Sequence, residues 1–209
     1  MVTPLTLLHT SPVHVPVFDA LRDRDHPGAV LRHLVVPELL ERARAQGPDA
    51  VVPALRDLLA GSAGPVLVTC STIGAAAESL APELGVRVLR VDRPMAARAV
   101  RGGPRIAVLA TVESTLAPTV ALLEEEAGRA GLPVSVTTHV VADAWPRFEA
   151  GDTAGYLALV ARAADAVTEA DVVVLAQASM AEAAARAKSA LPILSSPAPG
   201  LTAALHAAR

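Results

Sequence analysis

The sequence predicts an α/β protein built as two pseudo-symmetric halves, each a small parallel sheet with helices on both faces and with an active-site cleft between them. Three observations carry this. Short runs of Val, Leu and Ile, apolar on both faces, alternate with longer segments of helical character, as a parallel sheet covered on both sides requires. The chain echoes itself: VLVTCSTIGAAAE, from Val66, returns as VLAQASMAEAAA, from Val174, at an offset of 108 residues. An earlier pair, LLHTSPVHVPVFDAL from Leu7 and VLATVESTLAPTVALL from Val108, keeps the same order, with Thr10 opposite Thr111 and, after a one-residue gap, Pro16 opposite Pro118. Two strand-turn-helix pairs repeated in order imply duplication.

The strand candidates are LTLLHT, VLRHLVV, VLVTC and VRVLRV in the first half, and RIAVLAT, VSVTTHVV, DVVVLAQ and PILSS in the second. Between them, PVFDALRD, DAVVPALRDLLAG, GAAAESLAPEL, LAPTVALLEEEAGRAG and AEAAARAKSA carry helix formers with apolar residues at three-to-four spacing, several closing on Gly or Pro. In RVDRPM, Asp92 and Arg93 mark a strand end and a helix start, with Pro94 early in that helix. Glu124–Glu126 read as the solvated face of a long helix, with Arg129 in salt-bridging range. The halves are expected over residues 1–96 and 97–196, with a C-terminal helix over 197–209 completing the first.

Composition narrows the function. In 209 residues, 52% hydrophobic and 19% charged, there is ample material for a core. A formal net charge of -3 with one Trp, one Tyr and two Phe offers neither a basic field nor a stacking platform, so nucleic acid is not an expected partner. The single cysteine excludes an intramolecular disulfide and a cysteine-rich zinc site and fits a reducing compartment, with the cytoplasm as the default. No basic region precedes the N-terminal apolar run, TPLTLL is too short for a signal core, and no stretch approaches the roughly 20 apolar residues of a membrane span. The six histidines show no metal-ligand spacing, and GGPR at Gly102 precedes a strand, unlike a phosphate-cradling loop. Neither metal nor cofactor is expected.

In open α/β sheets, ligands bind outside the carboxyl ends of the strands. With the two halves related by a pseudo-twofold axis, those ends collect His9, Thr10, Ser11, Cys70, Ser71, Thr72, Thr111, Ser114, Thr115, Gln177, Ala178 and Ser179. Small hydroxyls and free amides at helix starts suit a carboxylate. Cys70 falls where strand gives way to helix, a place that favours negative charge on sulfur; the alternative is a small buried side chain beside a sheet. His9 and His14 follow the first strand and are candidate acid–base groups, as is Glu113, although a glutamate in a first helical turn also complements the dipole.

The turns VTCSTIG, ATVEST and VLAQAS, in this order, resemble the aspartate/glutamate/hydantoin racemase superfamily, which includes maleate isomerase and arylmalonate decarboxylase. The resemblance covers nearly the whole chain. It implies two pseudo-symmetric α/β domains, no cofactor, a homodimer, and two cysteines that trade a proton at the α-carbon of a small carboxylic acid. By that resemblance Cys70 is the first-half cysteine, Ser71 and Thr72 hold the substrate carboxylate, Thr111 and Thr115 match the second-half loop, and the second cysteine falls at Ala178; the strand-end reading adds Thr10, Ser11, Ser114 and Ser179 as substrate-binding candidates. A one-cysteine enzyme that isomerises, epimerises or decarboxylates such an acid, with Cys70 and His9 as its catalytic groups, is therefore expected. The alternatives are a carboxylate-binding protein that has lost racemase activity, and a cysteine hydrolase pairing Cys70 with His9 or His139.

Overall fold

The computed structural model describes residues 4–208. Contacts divide the chain into two units, one running to Val91 and rejoined by the segment from Pro197, the other spanning Asp92–Ser196. The first unit contains β1 (Leu5–His9), α1 (His14–Asp25), β2 (Leu31–Val35), α2 (Pro37–Gln46), a 3-10 turn (Pro48–Val51), α3 (Val52–Ala60), β3 (Val66–Val68), α4 (Ser71–Ser79), α5 (Ala81–Leu84) and β4 (Val88–Arg90). The second contains α6 (Arg93–Gly102), β5 (Arg105–Ala110), a 3-10 turn (Glu113–Thr115), α7 (Leu116–Ala130), β6 (Ser135–Val140), α8 (Ala144–Glu149), α9 (Thr153–Asp165), β7 (Val172–Leu175), a 3-10 helix (Ala178–Ala185) and β8 (Ile193–Ser195). The last helix, α10 (Pro197–Ala207), belongs with the first unit.

Each unit is one four-stranded sheet, all parallel, in the orders β2-β1-β3-β4 and β6-β5-β7-β8. The orders are the same, and each chain reverses direction of winding between its first and third strands, which is where such sheets leave a crevice. Because side chains alternate along a strand, Leu5, Leu7 and Leu67 join Phe18 of α1 and Leu201 of α10 on one face of the first sheet. Leu8, Val66 and Val68 join Leu39 of α2, Leu55 of α3 and Ile73 of α4 on the other. In the second unit Ile106, Val108 and Val174 pack on α6 and α7, while Leu109, Val173 and Leu175 pack on α8 and α9. Packing of α6 against α7 draws it into the second unit from Asp92 onward.

The last helix reaches its seat because residue 200 is glycine. A β-carbon there would collide with the Val91 carbonyl oxygen and side chain, and the close approach lets Leu201 and Ala204 bury fully.

Four local expectations are corrected. VSVTTHVV is not covered on both faces: β6 is an edge strand and five of its six residues are exposed. GAAAESLAPEL breaks at Leu80 into α4 and α5, since Pro82 disfavours a continued helix through the preceding turn. AEAAARAKSA is helical only as far as Ala185, as the end of a 3-10 helix that begins at Ala178. Glu126 is not on the solvated face of α7, because it is buried and binds Arg93 at 2.5 Å and Arg129 at 3.2 Å. Among the described residues, no helix is long and apolar enough to cross a membrane.

Candidate active site

The third strand of each unit ends beside the first, and the chain then turns into a helix. In the first unit the Thr69 N–H donates to the Leu8 carbonyl at 3.0 Å, and the next residue, Cys70, caps α4 with extended backbone (φ -111°, ψ 117°). In the second unit the Ala176 N–H donates to the Leu109 carbonyl at 2.9 Å, and the next residue, Gln177, caps the 3-10 helix with φ -120° and ψ 141°. The counterpart of Cys70 is therefore Gln177. Ala178 comes one residue later, as the first residue of that helix, and is buried at 7% exposure, which corrects the assignment read from the repeat. The first strands agree with this register: Val36 N–H meets the His9 carbonyl and Val141 N–H meets the Ala110 carbonyl. Thr10 and Thr111, the next residues along, hold equivalent places and are both buried.

Cys70 is half-buried, with its side chain against the Leu8–Val68 core under α2, α3 and α4. Its position brings it next to the first-turn N–H groups of α4, which lack intrahelical partners and favour an anion. Ser71 is buried and Thr72 half-buried in that turn. On the same face of the sheet, at the end of β4, lies Arg90, which the sequence reading did not single out. It is 4% exposed, and its side chain lies over Gly74 so closely that a β-carbon there would stand 3.0 Å from Nε. Its only sequence signal is an arginine ending the apolar run VRVLR.

His9 is not positioned as a catalytic partner of Cys70. It is fully buried on the opposite face of the sheet, against Phe18 at 5.5 Å between ring centres. Both ring nitrogens are engaged, Nδ1 with Thr69 Oγ1 at 2.8 Å and Nε2 with His33 Nδ1 at 2.8 Å. The Thr69 hydroxyl donates its one proton to the Leu8 carbonyl at 3.1 Å, so it accepts from His9 Nδ1–H, and His9 Nε2 in turn accepts from His33. Burial, with lesser contributions from His14 and His33, pushes His9 down to about 3. It is a neutral strut under the Thr69–Cys70 turn. His14 begins α1, and burial lowers it to about 4. These contacts remove His9 from the hydrolase alternative, and His139 is an exposed residue of edge strand β6.

The second unit assembles a polar network around Gln177. Its Oε1 accepts from the Thr111 N–H at 2.6 Å and from the Thr111 hydroxyl at 2.9 Å. Tyr156, fully buried, has its phenol 2.8 Å from Ser179 Oγ, and burial raises its ionisation above the ordinary phenol range. Thr115 is buried, and its carbonyl accepts from Thr119 Oγ1 at 2.8 Å. Ser114 Oγ is buried with no protein partner, Ser11 is half-buried where its carbonyl meets the His14 N–H, and Glu113 is exposed. The structure thus pairs Thr111 with Gln177 and Ser179 with Tyr156 in the second unit, and groups Cys70, Ser71 and Thr72 in the first. No group of three or more His, Cys, Asp or Glu able to hold a metal occurs among the described residues.

The fold is a duplicated parallel α/β unit with a thiol at the strand-to-helix turn of one copy and polar groups at the equivalent turn of the other. Residues 14–204 match the profile of the Asp/Glu/Hydantoin racemase family, and the chain belongs to that family. No curated protein is significantly similar in sequence. Among solved structures, the chain is similar to glutamate racemase from Francisella tularensis subsp. tularensis SCHU S4 in complex with D-glutamate, with a TM-score of 0.72 and 11% identity over 97% of this chain and 79% of that one. It is also similar to an aspartate racemase homologue from Pyrococcus horikoshii OT3, with a TM-score of 0.65 and 13% identity over 99% of both chains. A liganded double mutant of arylmalonate decarboxylase gives a TM-score of 0.57 and 21% identity over 99% of this chain and 93% of that one. At such identities the likeness is one of fold.

Proposed function

We propose that this member of the racemase superfamily is a cofactor-independent enzyme acting at the α-carbon of a small carboxylic acid through one thiol, Cys70. The observation that carries the reading is the unequal pair at equivalent turns: a thiol caps α4, whereas the same place in the second unit holds Gln177. An amide is neither an acid nor a base of useful strength at neutral pH, and the chain has no second cysteine. The acid–base work falls to Cys70 alone.

The chemistry balances with one thiol. The Cys70 thiolate takes the proton from the carbon next to the carboxylate, the electron pair moves into the carboxylate as an enediolate, and the S–H returns a proton to the same carbon. From a malonate-type acid, loss of carbon dioxide leaves the same enolate and the S–H protonates it. The N-terminal amides of α4 are suited to the negative charge that develops. Proton return by the same group exchanges hydrogen with solvent and preserves configuration, so free racemisation is not the expected outcome.

Incubation with a panel of small mono- and dicarboxylic acids tests the reading. Turnover or α-hydrogen exchange that disappears in Cys70→Ala supports it. Tight binding with no chemistry in the wild type favours the carboxylate-binding alternative.

A further inference from the structure

We propose that two copies of this chain pair through the open edge of β6, antiparallel about a two-fold axis at Thr138, whatever reaction Cys70 performs. The two four-stranded sheets of the second units then continue into one another.

A sheet edge is a row of unpaired N–H and C=O groups, and proteins blunt such edges with charged residues, Pro, bulges or very short strands. The other three edges here follow that rule: β2 carries Arg32, and β4 and β8 are each three residues long. β6 does not. It is six residues long, reads SVTTHV, and keeps an unbroken one-to-one register with β5, without a bulge. From Ala130 to Ala142 the chain has no Lys, Arg, Asp or Glu. Five of the six strand residues are exposed, and Val140, at 48%, is among the few large hydrophobic residues left in solvent. Leu132, at 42%, lies just ahead of the strand. A long, neutral, partly apolar edge of this kind calls for a partner strand.

The register identifies that partner as a second copy. In a parallel pair, alternate residues turn both backbone groups toward the neighbouring strand. The Ser135 N–H donates to the Pro104 carbonyl and the Val141 N–H to the Ala110 carbonyl. Ser135, Thr137, His139 and Val141 therefore face β5, and Val136, Thr138 and Val140 turn their N–H and C=O outward, where they meet no backbone partner among the described residues. The outward residues read Val-Thr-Val, symmetric about Thr138. Antiparallel pairing about that residue sets Thr138 opposite Thr138 and Val136 opposite Val140 twice, three bonded pairs of two hydrogen bonds each. Val136 and Val140 sit beside Ile106 and Ala110, on the face that packs on α6 and α7, so the valine pairs extend that apolar face across the axis. On the other face Thr137 comes opposite the second copy's His139. Thr137 lines a groove of about 440 Å³ with Glu169, which sets an imidazole of one copy beside a groove that holds a carboxylate of the other. The axis repeats this complementary pair. Because the pairing consumes the β6 edge of both copies, assembly closes at two.

Sedimentation equilibrium and amide hydrogen exchange on the full chain test the pairing. The wild type is expected to reach the mass of two chains with rising concentration. Val140→Lys puts an ammonium group into each valine pair at a site already exposed in the single chain, and is expected to weaken the dimer at least tenfold. In exchange followed by NMR, the Val136, Thr138 and Val140 amides of the wild type are expected to slow at least tenfold between dilute and concentrated solution, while those of Ser135, Thr137 and His139, already bonded to β5, change little. A wild type that stays monomeric at NMR concentration, a dimer that Val140→Lys leaves intact, or assembly beyond two copies overturns the proposal. Exchange at the three outward amides that does not depend on concentration overturns it as well, and since this is read on the wild type, poor folding of the variant leaves the test intact.

Discussion

Cys70 and Gln177 hold the same place in two copies of one sheet topology, each the residue that follows the third strand's last ladder bond and caps the next helix. The pairing puts a thiol at this place in one unit and an amide held by Thr111 at the same place in the other.

Thr111→Val probes that hold. Valine keeps the backbone N–H bond to Gln177 and removes the hydroxyl bond. Loss of one buried hydrogen bond costs about 1 kcal/mol, so stability is expected to drop by that energy. A denaturant melt measures it, and unchanged stability contradicts the Thr111–Gln177 bond.

Acid stability follows from the buried histidines. His9 and His14 lie at about 3 and about 4 in the folded protein, lowered mainly by burial, against about 6.5 when unfolded. Between those values the unfolded chain binds more protons, so stability is complete above pH ~6.5 and declines as the pH falls toward about 3. Each histidine contributes a slope of about 1.4 kcal/mol per pH unit while its two states differ in protonation. Denaturant melts between pH 4.5 and 6.5 are expected to show that decline, with His14→Phe removing about half of the slope. A flat profile contradicts the placement of both rings.

The seat of α10 depends on Gly200. Gly200→Ala forces a methyl into the Val91 carbonyl, and overpacking of this kind costs about 1–3 kcal/mol. The melting temperature is expected to fall by several degrees, with proteolysis opening first near the C-terminus. An unchanged melting temperature means that α10 is not seated as described.

The α/β class was readable because parallel strands buried on both faces leave unmistakable apolar runs. The register was not. Matching Val-Leu and Ser between VLVTCSTIG and VLAQASM set the echo one residue off, since letters align freely in alanine-rich sequence, whereas the ladder bonds to Leu8 and Leu109 fix Gln177 opposite Cys70. The same missing register hid that His9 and Cys70 lie on opposite faces of their sheet. For β6, polar Thr137, Thr138 and His139 already spoke against full burial, but an edge position is set by topology. Glu126 looked solvated beside two other glutamates because its partner Arg93 comes from another helix. Local propensity does not account for the 3-10 winding of ASMAEAAA.

The most direct test of the one-thiol account is deuterium uptake at the α-carbon in heavy water, followed by mass spectrometry and chiral chromatography over the carboxylic-acid panel. The account predicts Cys70-dependent uptake, or Cys70-dependent deuteration of a decarboxylated product, with configuration retained wherever the α-carbon is a stereocentre. Uptake at an undiminished rate in Cys70→Ala contradicts it.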